Sequence, residues 1–194
     1  PHMAVPQEQL AAKLLILESL RNHFLIASPQ LTDDFFDHSL VYLIEHNDEG
    51  AFGVIINKPA PAKLSEIVDD LPEGPTSPPL MVGGPVNRNM VLFLHDNDPP
   101  QTESMGLCDG IFLSSTAGFL EALRSGEAPL RCHAFIGSSG WAPEQLDQEI
   151  ARDAWMVVPA KTHVMFDLPN DQKRQGAADV LGIDLNLIQP TGMN

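Results

Sequence analysis

Positive charge is the first thing this sequence has little of. Its 194 residues carry 11 Lys and Arg against 26 Asp and Glu, a net charge of −15. A folded chain of this mass exposes roughly 9,000 Å², so one excess negative charge falls on about every 600 Å² of surface. Nucleic-acid binders draw their affinity from Lys and Arg that displace condensed counterions from phosphates. The only adjacent basic pair is Lys173-Arg174, and no basic recognition helix is visible, so direct nucleic-acid binding is not expected. Anionic membrane surfaces are disfavoured for the same reason. Cysteine is also scarce. Cys108 and Cys132 form neither a C-x-x-C pair nor a zinc spacing, which argues against a disulfide framework and for a reducing compartment. No apolar run approaches the roughly 20 residues that span a bilayer. The stretch Leu14-Leu15-Ile16-Leu17 is short, is flanked by Lys13, Glu18 and Arg21, and lacks a signal-peptide layout. The expectation is a cytoplasmic protein, with Pro1-His2 ahead of Met3 set aside as a cloning remnant.

What is present is enough for a core: 43% of residues are hydrophobic and 19% charged, which excludes a disordered chain. One domain over 1–194 is expected. A helix is predicted over 7–22, where Leu10, Leu14 and Leu17 share a side. Strands are predicted at 23–28, 40–44 and 52–56, the last two joined by the hairpin signal Asn47-Asp48-Glu49-Gly50. These last two runs are almost continuously apolar, so both of their faces should be covered. Further along, the pattern predicts a short helix over 64–71 and a Pro-rich loop over 72–79. Strands follow at 80–82, 90–95 and 110–114, then a helix over 116–125 closed by Gly126. Strand 131–137 leads through a turn at Gly137-Ser138-Ser139-Gly140 into a helix over 143–153. Strands at 155–158 and 162–166 and a last helix from 170 to 182 complete a mixed α and β chain without repeats.

Five motifs occur in a fixed order: His23-Phe24-Leu25-Ile26-Ala27-Ser28-Pro29, Glu45-His46-Asn47, Asn57-Lys58-Pro59, Gly83-Gly84-Pro85-Val86, and Gly137-x-x-Gly140-Trp141-x-x-x-Gln145-Leu146. In that order they resemble the AlgH/YqgE family of bacterial cytoplasmic proteins over nearly the whole chain after the first helix. The resemblance implies an α+β fold in which a bifurcated, mostly antiparallel β-sheet curls into a pseudo-barrel flanked by helices. It also brings a transcriptional-regulator label to which no reaction is attached. The chain departs from the family's usual pattern in four places. Ser138-Ser139 stands where Tyr-Ala is usual, Glu144 where glycine is usual, and Asp147 where Glu is usual. Gly192-Met193-Asn194 replaces an ending that contains histidine.

None of the motifs holds bond-making machinery. Gly137-Ser138-Ser139-Gly140 lacks the G-x-S-x-G order of a nucleophile elbow, and its small residues suit a tight turn. Gly83-Gly84-Pro85 lacks the length and the Lys-Ser/Thr of a phosphate loop. The seven histidines show no metal-ligand spacing. Asn57 suits a turn residue bonded to backbone, and Trp141 and Trp155 suit anchors for the helix between them.

The reading these residues favour is a noncatalytic binding or regulatory module. Its cleft is expected to gather Asn57, Pro59, Gly83, Gly84, Pro85, His95, Gly137, Gly140 and Trp141, closed by Trp141 and the Pro-rich loop. The partner is an unidentified small molecule or protein segment, and no cofactor or metal is expected. Two alternatives stay open. One is regulation of gene expression through a protein partner, which the resemblance implies. The other is an enzyme using His95 or His46 as general base with Asp96 or Glu45 nearby, although strand neighbours point to opposite faces.

Overall fold

The computed structural model describes residues 19–31, 33–72, 77–97 and 102–188. Most of the helix predicted over 7–22 therefore lies outside the described residues, as do 73–76 of the Pro-rich loop, Pro99-Pro100 and the last three residues. Residues 19–22 are not helical.

Among the described residues, nine strands form one sheet: β1 (His23–Ala27), β2 (Leu40–Asn47), β3 (Gly50–Ile55), β4 (Leu80–Val82), β5 (Val86–His95), β6 (Ser104–Gly106), β7 (Phe112–Ser115), β8 (Cys132–Trp141) and β9 (Trp155–Pro159). The order across the sheet is β6-β7-β5-β8-β3-β2-β1-β9, with β4 branching from β8. Every pairing is antiparallel except β4 with β8, and the sheet curls into a half-barrel. Four α-helices flank it among the described residues: α1 (Thr116–Ser125), α2 (Gln145–Ala151), α3 (Thr162–Phe166) and α4 (Lys173–Asp179). No helix among the described residues is long and apolar enough to cross a membrane.

The apolar runs of β1 and β2 are covered on both faces. Phe24, Ile26, Leu40 and Tyr42 pack with Val164 and Met165 of α3 and Ala177 and Ala178 of α4. Leu25, Ala27, Val41 and Leu43 pack with Trp141, Leu146 and Trp155 on the opposite side. A third cluster lies under α1, where Phe119 stacks on Phe93 with ring centroids 5.0 Å apart.

Several expectations change in the folded chain. The hairpin loop is shorter than predicted, because Asn47 pairs with Gly50 and only Asp48 and Glu49 remain in it. The helix predicted over 64–71 contracts to a single 3-10 turn, Leu64–Glu66. The segment 162–166, rich in β formers, is helix α3. Turning the chain there inserts adjacent Val164 and Met165 into the core, and such packing outweighs the weak propensity of five residues. The predicted turn at Gly137–Gly140 is also absent, because β8 continues to Trp141.

That last difference explains how the sheet forks. Along one edge of β8, residues 134–136 pair with β4 while 139–141 pair with β3. The Gly83-Gly84-Pro85 turn is wedged between the two branches. Gly83 N–H donates to Ile136 O at 2.8 Å, and Gly83 O accepts from Ile55 N–H at 2.8 Å and Ser139 Oγ–H at 3.0 Å. A Cβ on Gly84 would lie 2.0 Å from Ser138 O, and one on Gly137, at φ +73°, would lie 2.4 Å from Gly84 O. The small residues are required because two backbones meet there, not because the chain reverses.

Candidate functional site

The nine residues expected to share a cleft separate into four places. Gly83, Gly84 and Gly137 come together, but in the solid backbone packing of the fork. Gly140 pairs beside them with Phe52, and Pro85 is exposed at the edge of the turn. Trp141 is interred elsewhere. Its ring packs on Phe36 and Trp155, and its Nε1–H donates to Glu149 Oε2 at 2.7 Å. Trp155 Nε1–H donates to the same oxygen at 3.0 Å, so one carboxylate of α2 ties both indoles. His95 is fully buried at the end of β5, stacked on Phe119 and Phe112, with Nε2 against Ser114 Oγ at 2.8 Å and Nδ1 against Asn97 O. Only Asn57 and Pro59 line an open cleft. The single hollow lined by all nine is therefore replaced by a cleft that keeps two of them.

This cleft, about 890 Å³, lies between the loop before β2, the turn after β3 and the C-terminal helices. The loop contributes Asp34, Phe35, Asp37, His38 and Ser39. The turn contributes Asn57, Lys58 and Pro59, and the C-terminal part contributes Asn170, Asp171, Arg174, Gln175, Leu185 and Asn186. Asn57 holds the first two walls together, accepting from Leu40 N–H on Oδ1 and donating from Nδ2 to His38 O, each at 2.9 Å. This is the role of a side chain that substitutes for backbone in a turn. Lys58 Nζ sits 3.8 Å from the centroid of the Phe35 ring, a cation–π contact across the same wall.

The third wall rests on two adjacent cations. Lys173 is 1% exposed, and its ammonium donates to Ile56 O at 2.8 Å and Asn170 Oδ1 at 2.9 Å. Burial lowers its pKa to about 8. Arg174 Nη2 donates to Ala27 O at 2.9 Å; burial lowers its pKa as well, and the charge of Asp37 opposes that shift. Two buried polar atoms on the cleft walls have no hydrogen-bond partner: Ser39 Oγ and Arg174 Nε. Leaving such groups unpaired costs about 1–3 kcal/mol each, so they are the positions where an acceptor-bearing ligand gains most.

His46, His95 and His133 lie away from this cleft. His46, at the end of β2, is paired with Asp147 of α2 (Nε2 to Oδ1, 3.0 Å) and not with its neighbour Glu45. Its Nδ1 accepts from Leu20 N–H at 2.9 Å, which requires the proton to reside on Nε2. His133, in β8, has an unpartnered Nδ1. Burial and then the charge of Lys173 lower its pKa to about 4, with Asp167 opposing. Among the described residues, no three His, Cys, Asp or Glu side chains group as a metal ion would require.

Sequence reasoning passed over Ser39, Lys58 and Arg174. The signal for Arg174 was in view as the only adjacent basic pair in an acidic chain. A cation pair followed by the buried Ala177-Ala178 is a pattern that places charge at the inner edge of a helix.

Comparison with known proteins fits this geometry. Residues 24–186 match the AlgH-like family. A UPF0301 protein of Stutzerimonas stutzeri is 38% identical over 175 residues, covering 87% of this chain and 92% of the relative. One of Nitrosospira multiformis is 35% identical over 172 residues, covering 86% and 92%. The solution structure of the AlgH protein from Pseudomonas aeruginosa superposes with a TM-score of 0.74 at 29% identity, over the whole of both chains. A crystal structure of a Corynebacterium diphtheriae protein shares the fold, with a TM-score of 0.68 at 22% identity over 88% of this chain and 91% of the other. This forked half-barrel, with its glycine wedge and paired tryptophans, belongs to the AlgH-like family.

Proposed function

We propose that the protein is a noncatalytic binding and regulatory module whose ligand occupies the cleft between the 33–39 loop, the Asn57–Pro59 turn and α4. The observation that carries this reading is the pair of unpartnered polar atoms, Ser39 Oγ and Arg174 Nε, on the walls of a cleft of ligand-binding size. His46, His95 and His133 are each held in other packing, and the one histidine on the cleft wall, His38, is exposed and paired with Asp37 at 2.8 Å. The free thiols Cys108 and Cys132 are in keeping with a cytoplasmic site of action.

A thermal-shift screen against small polar metabolites tests this reading. Binders are expected whose stabilisation is lost in Ser39→Ala, which removes only the hydroxyl, while Trp141→Phe keeps it. Binders that lose their effect in Trp141→Phe and keep it in Ser39→Ala would refute the assignment.

A further inference from the structure

The cleft continues past Arg174 into a second hollow of about 180 Å³ that shares His38, Arg174 and Leu185 with it. The character of the wall changes there. Beyond the guanidinium most lining side chains are apolar, Ile26, Met156, Leu185 and Ile188 among them, with Ser28 and His38 as polar members. Arg174 therefore stands at the junction of a chamber lined mostly by polar side chains and one lined mostly by apolar ones.

The charge balance at that junction is unusual for so acidic a chain. Lys173 and Arg174 are adjacent and desolvated, yet the acceptors that hold them are all neutral: Ile56 O, Asn170 Oδ1 and Ala27 O. Neither forms an ion pair among the described residues. Asp37 acts on Arg174 only from beyond ion-pair distance, and a carboxylate brought into contact with a desolvated cation offsets part of the cost of its burial. The acids of the cleft, Asp34, Asp37 and Asp171, are exposed. Water and salt screen their repulsion far more than they screen an interaction at the half-buried guanidinium.

We propose that this compound site takes a small amphipathic carboxylate, its acid group held by Arg174, Ser39 and Lys58 and its aliphatic chain lying along Ile26, Met156, Leu185 and Ile188. The proposal rests on the reading of the cleft as the ligand site and adds the class of ligand. Arg174 Nε–H and Ser39 Oγ–H supply the two donors that lack partners, and a carboxylate accepts both. The modest size of the apolar chamber selects a short chain.

The test titrates the whole protein with butyrate, hexanoate and octanoate, and with hexanol and hexylamine as uncharged and cationic counterparts, reading amide chemical shifts. Hexanoate is expected to shift residues 26–28, 38–39 and 174. Each added methylene is expected to raise affinity by up to about fourfold until the hollow is full. Hexanoate should bind at least tenfold more tightly than hexanol, and Arg174→Gln should abolish that preference. Should Arg174→Gln fail to fold, the chain-length series and the head-group comparison on the unaltered protein decide the matter. Hexanol or hexylamine matching hexanoate at the same residues would overturn the acid-binding claim while leaving the cleft as a site. Shifts from none of the five compounds at these residues would overturn the ligand class, and the Ser39→Ala screen would still stand as a separate test of the cleft.

Discussion

His133 makes the stability of this protein depend on pH in a direction and range that can be worked out. Its ring lies edge-on to Phe166 at a centroid distance of 5.4 Å, its Nδ1 has no partner, and it faces the buried charge of Lys173. Burial first and that charge second lower its pKa from 6.5 to about 4. Between these values the unfolded chain binds a proton that the native chain does not, so native stability falls as pH falls. At pH 4 the loss relative to pH 7 is about 3 kcal/mol, since each pKa unit is worth about 1.4 kcal/mol. Urea denaturation of the parent chain and of His133→Leu, at intervals from pH 7 to pH 4, measures it. The difference between the two curves should be flat above pH 6.5 and open progressively below it. Lys173→Met removes the second cause and should shrink the gap in the parent background. Curves that stay parallel down to pH 4 would refute the reasoning.

Four further outcomes follow from particular contacts. Glu149→Ala leaves the Trp141 and Trp155 indole N–H groups unpaired and should destabilise the fold by about 2–4 kcal/mol, with a change in tryptophan fluorescence before unfolding. Gly84→Ala forces a Cβ against Ser138 O and should cost about 3 kcal/mol or more, read as a fall in the urea midpoint. Glu144 holds a left-handed backbone at φ 64°, which glycine adopts without strain, so Glu144→Gly should raise stability by about 0.5–1 kcal/mol. Lys173 has a folded pKa of about 8 against 10.5 unfolded, so its contribution should make stability rise between those pH values. That rise should be missing in Lys173→Met.

The sheet was largely legible because its signals are local. Continuous apolar runs at β2 and β3 marked strands covered on both faces, and Gly126, at φ 76°, closes α1 where the sequence placed it. Helix α3 was illegible because its formation depends on a core pocket for Val164 and Met165 that no five-residue window contains. The glycine motifs were read as lining a hollow for an understandable reason. Small residues mark close backbone approach, and sequence does not say whether the approaching backbone is a ligand's neighbour or the protein's own β8. The cleft itself is assembled from segments more than a hundred residues apart: Ser39 and Arg174 acquire meaning only when α4 docks against β1. Asn57 was legible as a turn residue, and the cleft wall it fixes was not.

The measurement that bears most directly on this account is the position of a bound ligand, read from nuclear Overhauser contacts between a hit from the metabolite screen and the assigned protein. The account predicts contacts to Ser39, Lys58 and Arg174 and none to Gly84 or Trp141. A ligand seated against the Gly83–Pro85 turn or the paired tryptophans, with Ser39 and Arg174 untouched, would contradict it.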